Sequence, residues 1–164
     1  LTGMGELMKH GCTTCFDHHY VFPAGAGDLI GTQFEAASEL GIRMHCSRGS
    51  MDLSVKDGGL PPDSVVQSVD EIMADSVRLI EKYHDPSFGS MHTLALAPCS
   101  PFSVSPELLR HLHDIGGRIV ISSDSHSASS ICCAFDLCEQ IARSCGFDEL
   151  WYFNGSCFEP EKLS

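Results

Sequence analysis

Short apolar segments alternate with helix-forming segments along the chain, and this alternation constrains the fold more than any other feature. Segments near residues 12–17, 42–47, 92–97, 118–123 and 149–153 predict five strands, because each is short and rich in apolar residues. Residues with helical spacing fill the intervals between them. Strict alternation of strands and helices is typical of a parallel sheet with right-handed crossovers. The sequence therefore predicts an α/β fold built from βα units.

The number of strands limits which α/β architecture the chain can form. A complete eight-stranded βα barrel needs roughly 200 residues or more, and the chain has 164. Glycine-rich loops of the G-x-G-x-x-G or G-x-x-x-x-G-K type do not occur, so nucleotide-binding folds of those types lose support. We expect a partial TIM-like barrel of about five strands. Because its open strand edges would invite pairing, we also expect a homo-oligomer.

The charge and hydropathy of the chain narrow the choice of partners. Asp and Glu number 22 against 10 Lys and Arg, which gives a formal net charge of −12. Such a charge disfavours nucleic acid and anionic membranes. The sequence contains neither a run of about 20 apolar residues nor a signal-peptide pattern. We expect a small-molecule substrate, and the first residue, Leu1, is consistent with a piece cut from a longer protein.

The cysteines favour a reducing compartment. Nine cysteines are scattered along a sequence without a secretory signal, which predicts reduced thiols and a cytoplasmic location. Cys12 and Cys15 form a C-x-x-C pair, but no second pair follows at zinc-ribbon spacing. In a strand these two side chains would point to opposite faces. Small core residues are the favoured interpretation for the four cysteines that lie in a helical pattern, namely Cys132, Cys133, Cys138 and Cys145.

The stretch Gly117–His126 carries the strongest candidate chemistry. A glycine turn and a β-branched run predict a buried strand, and the strand ends in a polar cluster containing Asp124 and His126. Chemistry in parallel α/β folds lies at the carboxyl ends of the strands. Asp124 is thus a candidate metal ligand and proton acceptor, and His126 a candidate metal ligand. The alternative is a helix start, with Ser125 or Ser127 as its N-cap.

Other polar residues follow the remaining predicted strands. His18 and His19 come after the first strand, and a solvent-facing loop pair is the alternative. His45 ends the second strand, where a hydrogen-bonded core histidine is equally reasonable. Arg48 could hold a carbonyl or phosphate oxygen or could simply pair with a carboxylate. Cys99 follows the third strand, but no partner for a nucleophile is fixed by spacing. We predict metal ligation by His18 and His45, and substrate binding by His19, Arg48 and Cys99.

Residues 5–108 resemble the amidohydrolase superfamily, and are similar to its 8-oxoguanine deaminase and hydroxytriazine hydrolase group. The residues that carry the resemblance are Gly11–Tyr20, Gly41–His45, Arg48–Met51, Asp57–Val65 and Ala97–Val104. The resemblance implies a divalent metal, zinc first and iron or manganese as alternatives, and deamination of a purine or triazine-like ring. The family's first metal motif, His-x-His, would lie before Leu1, and its later histidines and aspartate do not follow in the expected context.

Residues 109–164 resemble instead the C-terminal part of a PHP-family phosphoesterase, similar to histidinol-phosphatase. The residues that carry this resemblance are Gly116–His126, Ala134–Asp136, Cys145–Phe147 and Trp151–Phe153. It implies that Asp124 and His126 bind metal. We therefore expect an amidohydrolase-like segment over 1–108 and a PHP-like segment over 109–164, packed as one globular unit. Three functions follow: a metal-dependent deaminase, a PHP-type phosphomonoesterase, or a catalytically empty scaffold or chimera.

Overall fold

The computed structural model describes residues 1–163 and contains two compact units. The first comprises Leu1–Ser103 and the second begins at Val104. In residues 1–163, no helix combines the length and the apolar character needed to cross a bilayer. The nine cysteines are all free thiols.

The first unit is a two-layer βα arrangement, with its helices packed on one face of a parallel sheet. Its elements are α1 (Thr2–Lys9), β1 (Thr14–His19), α2 (Leu29–Leu40), β2 (Arg43–Ser50), α3 (Val69–Tyr83) and β3 (His92–Pro98), with short 3-10 turns at Val55–Asp57 and Asp63–Val65. The strands lie in the order β1-β2-β3, and both neighbouring pairs are parallel. The predicted α/β fold with parallel strands is therefore confirmed for these three strands.

One face of this sheet forms the core of the first unit. Phe34 and Ala37 of α2 and Leu79 of α3 are fully buried, and they pack with Met44 and Cys46 of β2. On β2 the core residues occupy alternate positions, because successive strand side chains point to opposite faces. The intervening residues of β1 and β2 therefore face the other side of the sheet.

Local sequence signals fix the ends of the two long helices. Asp28 caps α2 by accepting a hydrogen bond from the Gly31 amide, and Gly41 ends it in the left-handed conformation at φ 76°. Ser68 and Glu71 form a reciprocal capping box at the start of α3. α3 begins at Val69, after the 3-10 turn at Asp63–Val65.

The second unit contains two helices and a β-hairpin. Its elements are α4 (Pro106–Asp114), a 3-10 turn at Ala128–Ser130, α5 (Phe135–Ser144), β4 (Glu149–Phe153) and β5 (Phe158–Lys162). Ser105 caps α4 and Pro106 stands in its first turn, as the sequence predicts. A small core forms around Ala142, Cys145 and Phe147.

One strand prediction in this unit is wrong, and a second gives the right residues but the wrong strand direction. Residues 118–123 form no strand, and the Ile119 carbonyl oxygen accepts a single hydrogen bond, from the Trp151 amide at 2.8 Å. The strand at 149–153 exists but pairs antiparallel with β5. The local turn explains this pairing, since the Asn154 side chain accepts hydrogen bonds from the Ser156 and Cys157 amides. β5 was not predicted because its sequence is charged and contains Pro160. Proline is tolerated only at the edges of sheets.

We predict that Phe34→Ala lowers the free energy of unfolding of the first unit by about 3–5 kcal/mol. Phe34 is 0% exposed and stacks against Tyr83, so truncation leaves a cavity in the core. Urea unfolding followed by far-UV circular dichroism measures the loss. Phe88→Ala is the matched control because Phe88 is fully exposed, and it should change stability by less than about 0.5 kcal/mol. Equal effects of the two substitutions would contradict the assigned core.

Candidate functional site

The carboxyl ends of β1, β2 and β3 meet at one edge of the sheet. The strand register places His18 beside Ser47, His19 beside Arg48, and Gly49 beside Ala97. His18 and His19 are the last two residues of β1 rather than loop residues. They therefore point to opposite faces of the sheet, and only one of them can contribute to a site on either face.

The face opposite the core carries a cluster of aromatic and polar side chains, which we call the open face: Phe16, His18, Tyr20, His45 and Ser47. His18 Nδ1 and Ser47 Oγ share a hydrogen bond of 2.7 Å. The His18 ring stacks on Tyr20 with centroids 5.4 Å apart, and Phe16 meets His45 edge-on at 5.2 Å. Side chains from two strands are thus arranged in an ordered pattern at the carboxyl ends.

Gly49 allows the chain after β1 to pass close to β2. A Cβ atom at this position would lie 2.5 Å from the Tyr20 Cα and 2.6 Å from the His19 carbonyl oxygen. No side chain can occupy that space without displacing backbone. The glycine therefore keeps Tyr20 directly above the end of β2, within reach of His18.

Arg48 lies on the helix side of the sheet and is 1% exposed. Its guanidinium donates hydrogen bonds to Asp75 Oδ2 at 3.1 Å, Gln67 Oε1 at 2.7 Å and the Gly49 carbonyl at 2.8 Å. It also lies 4.3 Å from the centroid of the Phe22 ring. Burial lowers the pKa of Arg48, and the neighbouring Asp75 opposes that effect. These contacts support the carboxylate-pairing alternative, in the interior rather than in a loop.

His19 accompanies Arg48 on the helix side. Its ring meets Phe22 edge-on at 5.0 Å, and its Nδ1 is 3.9 Å from Asp17 Oδ2. Its Nε2 atom is buried without a hydrogen-bond partner in residues 1–163. The predicted substrate-binding pair His19 and Arg48 is therefore packed between sheet and helices, away from the open face.

Cys99 directly follows β3 and is partly buried. Its amide donates to the Ser50 carbonyl at 3.1 Å, and its Sγ approaches the Ala97 carbonyl at 3.7 Å. Burial raises the pKa of the Cys99 thiol, although Arg48 acts in the opposite direction. A raised pKa disfavours the thiolate that a nucleophile requires, and the substrate-binding role of Cys99 stays a prediction.

His45 lies in the middle of β2, one side-chain row before Ser47 on the open face. It stands beside Phe16 on one side and Thr93 on the other. Burial is the main cause, and the nearby His84 the second, of a lowered pKa at His45. The residue was expected at a strand end, and β2 instead continues to Ser50.

Asp124 and His126 lie in an exposed loop of the second unit. His126 Nδ1 donates to the Asp124 backbone carbonyl at 2.7 Å, and neighbouring serine hydroxyls bond to one another around them. No strand leads into this loop, so the argument from strand ends no longer places the pair at a site. Their role as ligands, and that of Asp124 as a proton acceptor, stay predictions.

The described residues do not fit a complete metal centre. No group of three or more His, Cys, Asp or Glu side chains that could hold a metal ion occurs within residues 1–163. A catalytic zinc takes about three protein ligands and a water. His18 and His45 thus belong to no such group in the first unit, and Asp124 and His126 belong to none among the described residues of the second.

Sequence reasoning missed Ser47 and Tyr20. Tyr20 is recognisable once the strand limits are known, because it directly follows β1 and continues the alternation of Phe16 and His18 with the buried Cys15. A serine three residues before the last residue of β2 gave no signal of its own. Only the register of β1 against β2 shows that it supports His18.

The first unit is built from parallel βα units with polar side chains at the carboxyl ends of the strands. In α/β proteins of this architecture, the catalytic residues lie at that edge of the sheet. The chain matches the amidohydrolase family over residues 1–130. It therefore belongs to the amidohydrolase family.

Two curated proteins are similar to the chain over more than three quarters of its length. The chain is 46% identical over 128 residues to the 8-oxoguanine deaminase of Pseudomonas aeruginosa. The aligned residues cover 78% of this chain and 28% of that protein. It is 41% identical over 127 residues to the hydroxydechloroatrazine ethylaminohydrolase of Pseudomonas sp. strain ADP, covering 77% and 26%. The chain thus spans about a quarter of the length of these relatives.

Solved structures agree on the fold. A triazine hydrolase variant superposes with a TM-score of 0.70 at 29% identity, covering 87% of this chain and 33% of that one. An atrazine chlorohydrolase of Arthrobacter aurescens TC1, complexed with zinc and atraton, gives 0.69 at 30% identity, covering 85% and 33%. Guanine deaminase of C. acetobutylicum, at 16% identity and a TM-score of 0.58, shares the fold.

The resemblance to a PHP-family phosphoesterase finds no support. The amidohydrolase match continues past the expected junction near residue 108 and includes Asp124 and His126. No similarity reported above points to a phosphatase. The expected PHP-like segment over residues 109–164 is therefore not supported.

We predict that Arg48→Met destabilises the first unit by about 3 kcal/mol or more, because it leaves Asp75 and Gln67 without their buried partner. Arg78→Met is the matched control. Arg78 pairs with Asp28 and Asp75, but its side chain is 43% exposed, so its loss should cost about 1 kcal/mol or less. Urea unfolding compares the variants, and an Arg48→Met protein as stable as the parent would contradict the structural role.

We predict that His45 lowers stability at acid pH. Because its folded-state pKa lies below the unfolded value, the unfolded chain binds the proton more readily. The stability that neutral His45 contributes is fully present above about pH 6.5, and it is lost as the pH falls through the pKa of His45 in the folded state. His45→Gln should flatten the decline in unfolding free energy between about pH 7 and 5. His10→Gln, at an exposed site, is the control, and an unchanged profile in His45→Gln would exclude the effect.

Proposed function

We propose that this chain is part of a metal-dependent amidohydrolase that deaminates a purine or triazine-like ring. The observation that carries the proposal is the 46% identity over 128 residues to an 8-oxoguanine deaminase, joined to the ordered open face at the carboxyl ends of the strands. The 41% identity to a hydroxydechloroatrazine ethylaminohydrolase supports the wider class of nitrogen-rich rings.

The chain's own contribution is to bind and orient the ring. The open face offers aromatic surface from Phe16 and Tyr20, which are 60% and 49% exposed. His18 and Ser47 add polar groups whose positions are fixed by their mutual hydrogen bond. A planar ring that carries hydrogen-bonding nitrogens and oxygens matches this combination of aromatic and polar contacts.

A divalent metal, with zinc as the first choice, is part of the proposal because a similar enzyme structure is a zinc complex. When bound, such an ion would supply an activated water. No ligand group for it is assigned from residues 1–163, which hold no cluster of three suitable side chains. The metal roles of His18, His45, Asp124 and His126 remain predictions.

We further propose that the three parallel strands are part of a larger barrel-like sheet. Within residues 1–163, β1 and β3 each have one strand neighbour and one free edge. Free edges present unpaired backbone donors and acceptors. Pairing with another copy of the chain or with further strands would satisfy them, which keeps the homo-oligomer as a proposal.

We predict that the segment can replace its counterpart in a working deaminase. A hybrid in which the 128 matching residues stand in the Pseudomonas aeruginosa 8-oxoguanine deaminase should release ammonia from 8-oxoguanine. We expect no less than about one hundredth of the relative's kcat/KM, because the ring-binding edge would be preserved.

The hybrid's metal content and circular dichroism serve as controls. A folded hybrid that holds metal like the parent enzyme but releases no ammonia would contradict the proposed function. If the hybrid acts on a triazine but not on 8-oxoguanine, the proposed reaction class is retained and the proposed substrate becomes a triazine ring.

A further inference from the structure

The open face contains one side chain that is both fixed in position and polar at its outer edge. His18 Nδ1 is bonded to Ser47 Oγ at 2.7 Å, and Ser47 is only 2% exposed. A buried partner on a central strand leaves the imidazole little freedom. The other ring nitrogen, Nε2, has no partner among residues 1–163, so His18 keeps a hydrogen-bonding atom available.

Tyr20 fixes the same ring from a second direction. The two rings stack with an interplanar angle of 28°, and Gly49 holds Tyr20 close to β2. Tyr20 is 49% exposed, so its ring also presents surface beyond His18. Stacking and the hydrogen bond together hold the imidazole in one plane.

We propose that His18 is the ring-binding residue of this segment, with Ser47 as its positioning residue and Tyr20 as the adjoining aromatic wall. This inference rests on the proposed function for the identity of the ring. The Nε2 atom bonds to a nitrogen or carbonyl oxygen on the edge of a planar purine, and the aromatic side chains contact its face. The assignment gives His18 a role different from the metal ligation expected from sequence.

The geometry favours this role over metal ligation. A histidine ligand needs further ligands around the same point, and the described part of the chain supplies no group of three. The side chains that surround His18 on the open face are instead aromatic or hydroxylic. Such surroundings match an uncharged heteroaromatic ring.

The test is a binding titration on the 164-residue chain with 8-oxoguanine as the probe, read by NMR of 15N- and 13C-labelled histidine rings. We expect saturable shifts of the His18 ring signals. His18→Ala should weaken binding by at least about tenfold, because it removes both the hydrogen bond and the stacked ring. His18→Phe should restore part of the loss, since it retains stacking but not Nε2.

Two further variants separate positioning from contact. Ser47→Ala should weaken binding by about threefold to tenfold and broaden the His18 signals, because the imidazole is no longer held. His10→Ala is the matched histidine control, and it should bind like the parent because His10 lies on the exposed end of α1.

Several results would overturn the inference. The inference fails if the unsubstituted chain shows no saturable shift, or if His18→Ala binds the probe as tightly as the parent chain does. It also fails if zinc alone, titrated without the probe, shifts His18 together with a second histidine at one equivalent, which would make His18 a metal ligand. Loss of probe binding in His18→Ala with an inactive hybrid enzyme would leave the inference standing and reject only the proposed deamination.

Discussion

The buried guanidinium of Arg48 is the interaction on which the carboxyl edge of the sheet depends. It joins the end of β2 to α3 through Asp75, to the segment before α3 through Gln67, and to the loop after β1 through the Phe22 ring. Removing a charge from water is costly, so such a residue is tolerated only when its donors are satisfied. Because three segments must be in place to satisfy them, their positions are set together.

Because successive side chains of a strand point to opposite faces, the stabilising contacts and the candidate site lie on different faces of the sheet. Arg48 and His19 point toward the helices, whereas their neighbours Ser47 and His18 point to the open face. The stabilising network and the candidate ring-binding group therefore occupy consecutive residues on the same two strands. A shift of one residue in the register would exchange them and expose Arg48. The buried network thus helps to fix the register that presents His18.

The sequence predicted the features that depend on local signals. β1 to β3 follow short apolar runs, and Gly41 ends α2 through its backbone geometry, whereas the start of α3 at Val69 was not predicted. Features that depend on distant partners were not predictable. The run at 118–123 has strand-like composition but no neighbouring strand to complete a ladder, whereas β5 forms because a turn at Asn154 brings it beside β4. Arg48 resembled a surface residue because Asp75 lies 27 residues away along the chain.

The open face also explains why three parallel strands carry part of a site rather than a whole one. Each strand sends one side chain per two residues to a given face, so its exit contributes only one or two groups. β1 and β2 use theirs for His18, Tyr20 and Ser47, while β3 presents Ala95 and Ala97 in the matching rows. Small residues there leave room beside the histidine instead of adding ligands. Space, an aromatic wall and one oriented imidazole are the requirements for holding a flat substrate. A metal centre requires several convergent donors, and the described residues contain no group of three suitable side chains. The proposed contact with a flat ring therefore agrees better with the side chains that these strand ends carry.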